Sequence, residues 1–565
     1  MNASPATTST STALSAIIRN KRFLGILVFI LVCGTWTLVH PSTRTAFIGP
    51  LLPSRLDRTN TNTHHLSSTW PSETDPLNQN GDSSSTSSDR YALAAADRVT
   101  KLFSSKSEAQ IEVEWERLGT SYKAVRDEVP DVTRLDLHAD RFKIVVQLDQ
   151  FDRAIDGSRL NATMRETYHK TTRHFRDDLF RSLYPYISRN DNHQRTFDDL
   201  LMRYSRTAGI VIPCGNDQFQ TETHSVLLTL HQWAVHLIAT LKNVHKTKLP
   251  ILVAHSGQGD LTVEKRAALR SLSPDVETVD LLHIFDEKHV GLENSGWAIK
   301  PFAILASPFK ETIICDADAI FLQDPAILLT DPGYEQTGTL FFRDREIFPG
   351  DGNVHAWFKE LMKGRKPSKM LQKSRWWLDE ASREEMESGV VVVNKGRRDV
   401  ALGMVFVGFL NTRDVRDAVM YRQTYGDKES YWMGYELGGV PYYFDPPYAG
   451  IAGRVTHPNA KGHTVDSRIC SEHHLHLDYK GRPLWWNGSL YEDKRHREKG
   501  WFLALHYTHG TVDWDCEPEP WCMKGIREED VKRFSEVKLE DGTGFDRVLS
   551  DMIGAALMAE LKFPK

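Results

Sequence analysis

The sequence predicts an α/β domain built on a mostly parallel sheet flanked by helices, and three observations carry that expectation. From Gly209 onward, short apolar runs bounded by Pro, Gly or Asp (GIVIPCGND, PILVAHSG, VETVDLL, ETIIC) read as strands. Between them lie stretches of helical periodicity: Val226, Leu227, Leu230, Trp233, Ala234, Leu237 and Leu241 share one face, and TVEKRAALRSL and WAIKPFAILASPF follow. The alternation itself is the third observation, since parallel neighbours need a crossover as long as a helix.

The last of these strands ends in two carboxylates, Asp316 and Asp318. An Asp-x-Asp triplet is short enough to arise about once or twice by chance in a chain of this size. A second copy, Asp513-Trp514-Asp515, sits in a Cys/Pro/Trp loop without a strand and reads as structural. Asp316 and Asp318 differ because they close an apolar strand, and the C-terminal edge of an open α/β sheet is where ligands bind.

The whole chain sets further limits. It has 565 residues and a net charge of -5, with no sustained basic block, so nucleic acid is not an expected partner. Phe23 to Val39 carries no charge and as a helix would span about 25 Å, at the short end of a bilayer crossing. Arg19, Lys21 and Arg22 precede it and the next basic residue is Arg44, which predicts a type II signal-anchor with the remainder lumenal. The expected organisation is a cytosolic tail (1–22), the anchor (23–39), a flexible Ser/Thr-rich stem (40–90), a helical preface (91–205) and a catalytic domain with a C-terminal extension (206–565). The preface reads as helical, with only short strand-like runs such as FKIVVQL.

Six cysteines are few for a lumenal chain. Cys214 and Cys315 lie in strand-like runs and are expected to be buried thiols, whereas Cys470, Cys516 and Cys522 lie in polar surroundings where any pairing among them is open. Asn161 and Asn487 head glycosylation sequons on the lumenal side, and Asn2 heads one on the cytosolic side.

The chemistry follows from the carboxylates. Two of them close together repel unless a cation lies between, and oxygen-only ligands suit Mg²⁺ or Mn²⁺. Such an ion bridges to a diphosphate and stabilises it as a leaving group, which points to nucleotide-sugar transfer. Pro213, Cys214, Gly215 and Asn216 form a turn that brings backbone close to a ligand. Lys300, in an otherwise apolar helix, suits a phosphate as a point charge. In GDKESYWMG, Asp427 and Glu429 with Tyr431 and Trp432 have the composition of a hexose site, and Glu387, Ser388 and Gly389 stand at the approach to the buried run Val390–Val393.

Four ordered blocks, GIVIPCGNDQF, WAIKPFAILASPFKETIICDADAIFLQDP, ESGVVVVNK and GDKESYWMG, resemble the fungal alpha-1,3-mannosyltransferases of glycosyltransferase family 71 over about Gly209 to Gly510. More distantly they resemble glycogenin-like retaining transferases of GT-A fold. The resemblance implies a GT-A-type domain in the Golgi that transfers mannose from GDP-mannose to a mannose-terminated glycan with retention, using Mn²⁺. It implies that Pro213 to Asn216 hold base and ribose, that Lys300 reaches the donor phosphate, and that Glu387, Ser388 and Gly389 lie near the donor sugar. Asp427 and Glu429 would then act at the reaction centre, Trp432 would bind substrate, and His506, rather than His509, would complete the metal site with Asp316 and Asp318. A UDP-glucose or UDP-galactose transferase of the same fold, or an inactive lumenal lectin or scaffold, are the alternative expectations.

Overall fold

A computed structural model describes residues 103–562, apart from 188–194, 215–229, 294–295, 346–352, 457–466, 495, 497–498, 509–513, 516–521, 527 and 540. The expected tail, anchor and stem, and the positions Gly215, Asn216, His509 and Cys516, lie outside the described residues. Among the described residues no helix is long and apolar enough to cross a membrane.

Four helices come first: α1 (Glu108–Val125), α2 (Leu135–Ile155), α3 (Ala162–Leu183) and α4 (Phe197–Met202). A capping box at Ser107 and Gln110 starts α1. The FKIVVQL run, read from sequence as strand-like, is inside α2. Its β-branched residues suggested a strand, but Phe142, Val145 and Val146 are buried at helical spacing, and packing overrides local propensity.

The alternating region then builds β1 (Arg206–Pro213), α5 (Leu230–Asn243), β2 (Ile251–His255), α6 (Val263–Arg270), β3 (Val276–Asp280), α7 (Ile299–Ala306), β4 (Phe309–Cys315) and β5 (Ala319–Phe321). It continues with β6 (Thr339–Arg343), α8 (Asn353–Leu361), β7 (Met386–Asn394), α9 (Arg398–Leu410), α10 (Ser430–Gly438) and β8 (Phe444–Tyr448). Seven of these strands form one sheet in the order β3-β2-β1-β4-β7-β6-β8. Only β7 runs against its neighbours, β4 and β6, so the sheet is mixed and mostly parallel. Successive strand residues feed opposite faces: Val211, Ile314, Val391 and Val393 pack with α7, α9 and α10, whereas Ile210, Ile313, Val390 and Val392 pack with α5. Burial on both faces explains the unbroken apolar runs.

The strand order reverses between β1 and β4, and the cleft at that reversal is where an open α/β sheet presents its ligand site. Glu387, Ser388 and Gly389 belong to β7 itself, all buried, rather than to an approach before it.

Past β8 come β9 (Gly450–Gly453), β10 (Val455–Thr456), β11 (Ser467–Cys470), β12 (His474–Leu477), β13 (Pro483–Asn487), β14 (His506–Thr508), β15 (Trp514–Asp515), β16 (Cys522–Ile526), β17 (Lys532–Arg533) and α11 (Phe545–Lys562). A six-stranded sheet, β17-β14-β9-β12-β13-β5, uses β5 to join this region to the carboxylate strand. A smaller sheet, β10-β11-β16-β15, is stapled by a Cys470–Cys522 disulfide, while Cys214 and Cys315 are buried and not disulfide-bonded.

Candidate active site

A cavity of about 680 Å³ opens at the strand-order reversal. Pro213 and Ser256 line it from the ends of β1 and β2, Asp316 and Asp318 from the turn after β4, Glu387 from β7, and Asp427 from the turn before α10.

Backbone hydrogen bonds fix the two aspartates. Asp316 N donates to Gly389 O at 2.8 Å, and Asp318 O accepts from Gly488 N at 3.3 Å and Ser489 N at 2.8 Å. The Asn487-Gly488-Ser489 turn requires its glycine, since Gly488 has φ +130 and a Cβ there would meet Glu472 O at 3.1 Å. Its role in this fold is to hold Asp318.

Each carboxylate already has a lysine. Lys300 Nζ lies 2.9 Å from Asp316 Oδ1 and 3.8 Å from Asp427 Oδ1, and donates to Ser388 Oγ at 3.1 Å. Lys300 is buried, so it is a site residue and not a surface lysine. Lys494 Nζ lies 2.9 Å from Asp318 Oδ2. Burial pushes Asp316 up to about 7, Lys300 opposing and Asp318 adding to the rise. Burial likewise raises Asp427, against the pull of Lys300. Asp427 Oδ2 and Asn487 Oδ1 are buried and accept no hydrogen bond among the described residues.

A second charged group lines the adjoining wall. Asp344, Glu387 and His474 bring ligand atoms within 4.8 Å of one another, and Lys428 Nζ lies 2.7 Å from Asp344 Oδ2. Arg345 Nη1 stands 3.3 Å from His474 Nδ1. Burial, followed by Arg345, lowers His474 to about 4. Glu387 Oε1 accepts from Gly389 N at 2.7 Å and from Asn487 Nδ2 at 3.3 Å. Registers explain this meeting: Asn487 pairs with both His474 and Ala319, so β12, β13 and β5 carry His474 and Asn487 in one row beside Asp318.

The two groups differ in fitness for a divalent ion. Among the described residues, Asp344, Glu387 and His474 are the group whose ligand atoms lie within 4.8 Å of one another, whereas Asp316, Asp318 and Asp427 set three carboxylates against Lys300 and Lys494 and offer oxygen donors alone, the type that suits Mg²⁺ or Mn²⁺. Around Asp344 and Glu387 the two carboxylates are already matched by Lys428 and Arg345.

Four sequence expectations need correction. Trp432 does not reach the cavity: it is fully buried against Phe358 and Trp376, with ring centroids at 4.9 and 5.1 Å. Glu429 faces the same interior, accepting from Glu385 N at 3.0 Å, Met386 N at 3.1 Å and Trp432 Nε1 at 2.5 Å. Alternate residues of that turn point apart, so Asp427 meets the cavity while Glu429 ties the turn to β7. His506 lies on β14, paired with Gly453 and Arg533, two strands beyond His474 in the six-stranded sheet, and is not part of the cavity wall. Cys214 is buried in the core behind the wall, leaving Pro213 as the described residue of its turn that meets the cavity.

The sequence reading missed Asp344, Arg345, Lys428, His474, Asn487 and Lys494. For Asn487 a signal existed: a sequon flanked by the buried run Leu484, Trp485 and Trp486 sits badly on an open surface.

A mixed α/β domain thus brings acidic groups and lysines into one cavity at the strand-order reversal. Residues 207–478 match the family described as "Mannosyltransferase putative". It is similar to the alpha-1,3-mannosyltransferase MNT3 of Saccharomyces cerevisiae, 29% identical over 43% of this chain and 42% of the relative. It is also similar to the alpha-1,3-mannosyltransferase MNN1 of the same yeast, 23% identical over 49% of this chain and 40% of the relative. The chain thus spans about two fifths of the length of these curated relatives. Among solved structures, the galactosyltransferase LgtC with donor and acceptor sugar analogues is 12% identical over 41% of this chain and 72% of its own, with a TM-score of 0.27.

Proposed function

We propose that this protein is a retaining, metal-dependent alpha-1,3-mannosyltransferase of GT-A type that transfers mannose from GDP-mannose to a mannose-terminated glycan in the Golgi, anchored by Phe23 to Val39. The observation that carries the reading is the acidic end of the cavity, lined by Asp316, Asp318 and Asp427, where Lys300 pairs with Asp316 and lies 3.8 Å from Asp427. The matched family and the names of the relatives supply the sugar.

In this reading the nucleoside lies toward Pro213 and Ser256 at the ends of β1 and β2, and the diphosphate lies over Asp316 and Asp318. Asp316 and Asp318 would hold a divalent ion, which when bound neutralises charge on the departing diphosphate. Lys300 moves from carboxylate to phosphate oxygen without leaving its pocket, since its hydrogen bonds to Ser388 can persist. Asp427 then accepts from hydroxyls of the transferred hexose, and Glu387, held by Gly389 N and Asn487, shapes the floor. The test is a panel of GDP-mannose, UDP-glucose and UDP-galactose against α-mannoside acceptors, before and after EDTA and with Mn²⁺ restored. Mannose transfer lost in EDTA and regained with Mn²⁺ is expected. Transfer from a UDP-sugar alone would overturn the donor, and full activity in EDTA would overturn the metal role.

A further inference from the structure

Two large aromatic side chains stand exposed at the lip of this cavity. Trp297 is 49% and Tyr425 54% exposed, both line the cavity, and their ring centroids are 4.9 Å apart. Isolated exposed aromatics need no explanation, but a pair of them beside a cavity that also holds charged side chains is the composition of a ligand site. The backbone is shaped to permit the pair. Gly426 has φ +66, and a Cβ there would meet the Trp297 indole at 2.8 Å, so the turn accepts only a residue without a side chain beneath the ring. One residue further on, Asp427 lines the same cavity, 3.8 Å from Lys300.

Position separates this platform from the nucleoside end. Pro213 and Ser256 come from β1 and β2, on one side of the Asp316–Asp318 turn in the sheet order. The turn carrying Tyr425 and Asp427 is anchored on the other side, where Glu429 takes the Glu385 and Met386 amides at the start of β7. A donor laid with its diphosphate over Asp316 and Asp318 and its nucleoside toward Pro213 and Ser256 therefore points its sugar toward the turn of Tyr425 and Asp427, and Trp297, just before α7, reaches that turn through its ring contact with Tyr425. Pyranose rings present C–H faces that pack on aromatic rings, while their hydroxyls bond to carboxylates.

Building on the mannosyltransferase reading, we infer that Trp297 and Tyr425 form the acceptor subsite, a stacking platform for the hexose that receives the transferred sugar, with Gly426 keeping the indole in place. The experiment uses the full chain and its variants Trp297→Ala, Tyr425→Ala and Gly426→Ala, measuring KM for a methyl α-mannoside acceptor, kcat, and GDP affinity by calorimetry. The expected result is an acceptor KM raised about tenfold or more in each, with kcat at saturating acceptor less affected and GDP affinity within about twofold of the parent. Weakened GDP binding with an unchanged acceptor KM would assign the rings to the nucleobase and overturn the inference. Unchanged values for both would also overturn it. If the parent protein transfers no mannose, the functional reading fails instead, a separate outcome visible before any variant is made. Should Trp297→Ala lower Tm, Tyr425→Ala alone decides.

Discussion

Asn487 donates its side-chain amide to Glu387 Oε1 at 3.3 Å, across the floor of the cavity. A glycan on that nitrogen would have to occupy the cavity that Asn487 lines, and the hydroxyl of Ser489 is buried, so Asn487 is not expected to carry one in the folded protein. Asn161 is different: it caps α3 at an exposed helix start. For protein folded in a secretory compartment, Asn161→Gln should abolish the glycosidase-sensitive mass shift and Asn487→Gln should leave it. A glycan mapped to Asn487 in active protein would contradict the contact.

Lys300 is the cation common to Asp316 and Asp427. Lys300→Met should cost about 3 kcal/mol of folding free energy, because it leaves buried carboxylates uncompensated. Adding Asp427→Asn should recover part of the loss by removing one of them. Denaturant unfolding of the single and double variants measures both steps, and equal stability of the two would remove Asp427 from the pair.

Trp432 fills the core between Phe358 and Trp376. Trp432→Ala should lower stability by about 3–5 kcal/mol, and Trp432→Phe by much less. Neither change should raise the acceptor KM selectively in protein that remains folded.

Burial raises Glu429 from its ordinary value of 4.5 to about 8, against the opposing amides of Met386 and the Trp432 indole. The sign follows from linkage: the folded state holds this proton more tightly, so the stabilisation is complete below pH 4.5 and is lost as pH rises through about 8. Unfolding free energy should therefore carry a falling contribution between those limits. Glu429→Gln should remove that slope and also lower stability, because one side of the amide would set N–H against the Trp432 N–H. A pH profile identical in parent and variant would place the ionised form in the core.

The sheet and its carboxylate edge were legible because their signals are local: apolar runs closed by Pro213 and by Asp316, with helical periodicity between. Which side of a turn a residue faces is not local. Asp427 and Glu429 look equivalent in sequence, yet one lines the cavity and the other takes three N–H donors in the core. Lys428, which reads as the spacer between them, ion-pairs with Asp344. His474 and Asn487 become neighbours only through strand register, and Lys494 reaches Asp318 across 176 residues. Such meetings are decided by pairing and topology, which a single sequence leaves open.

The helices before β1 share their packing with the sheet domain. Phe142 stacks on Phe406 at 4.8 Å, Tyr186 donates to Val405 O at 2.6 Å, and the buried Asp149 receives Arg398 Nη2 at 2.6 Å. A polypeptide started at Arg206 would thus lay bare the inner faces of α9 and α10 and leave Arg398 without its carboxylate, inviting aggregation. Amides of α2 and of β7 should exchange with deuterium through a common opening event, and proteases should find no early cut between Met202 and Arg206. The boundary for an autonomous soluble fragment falls ahead of α1.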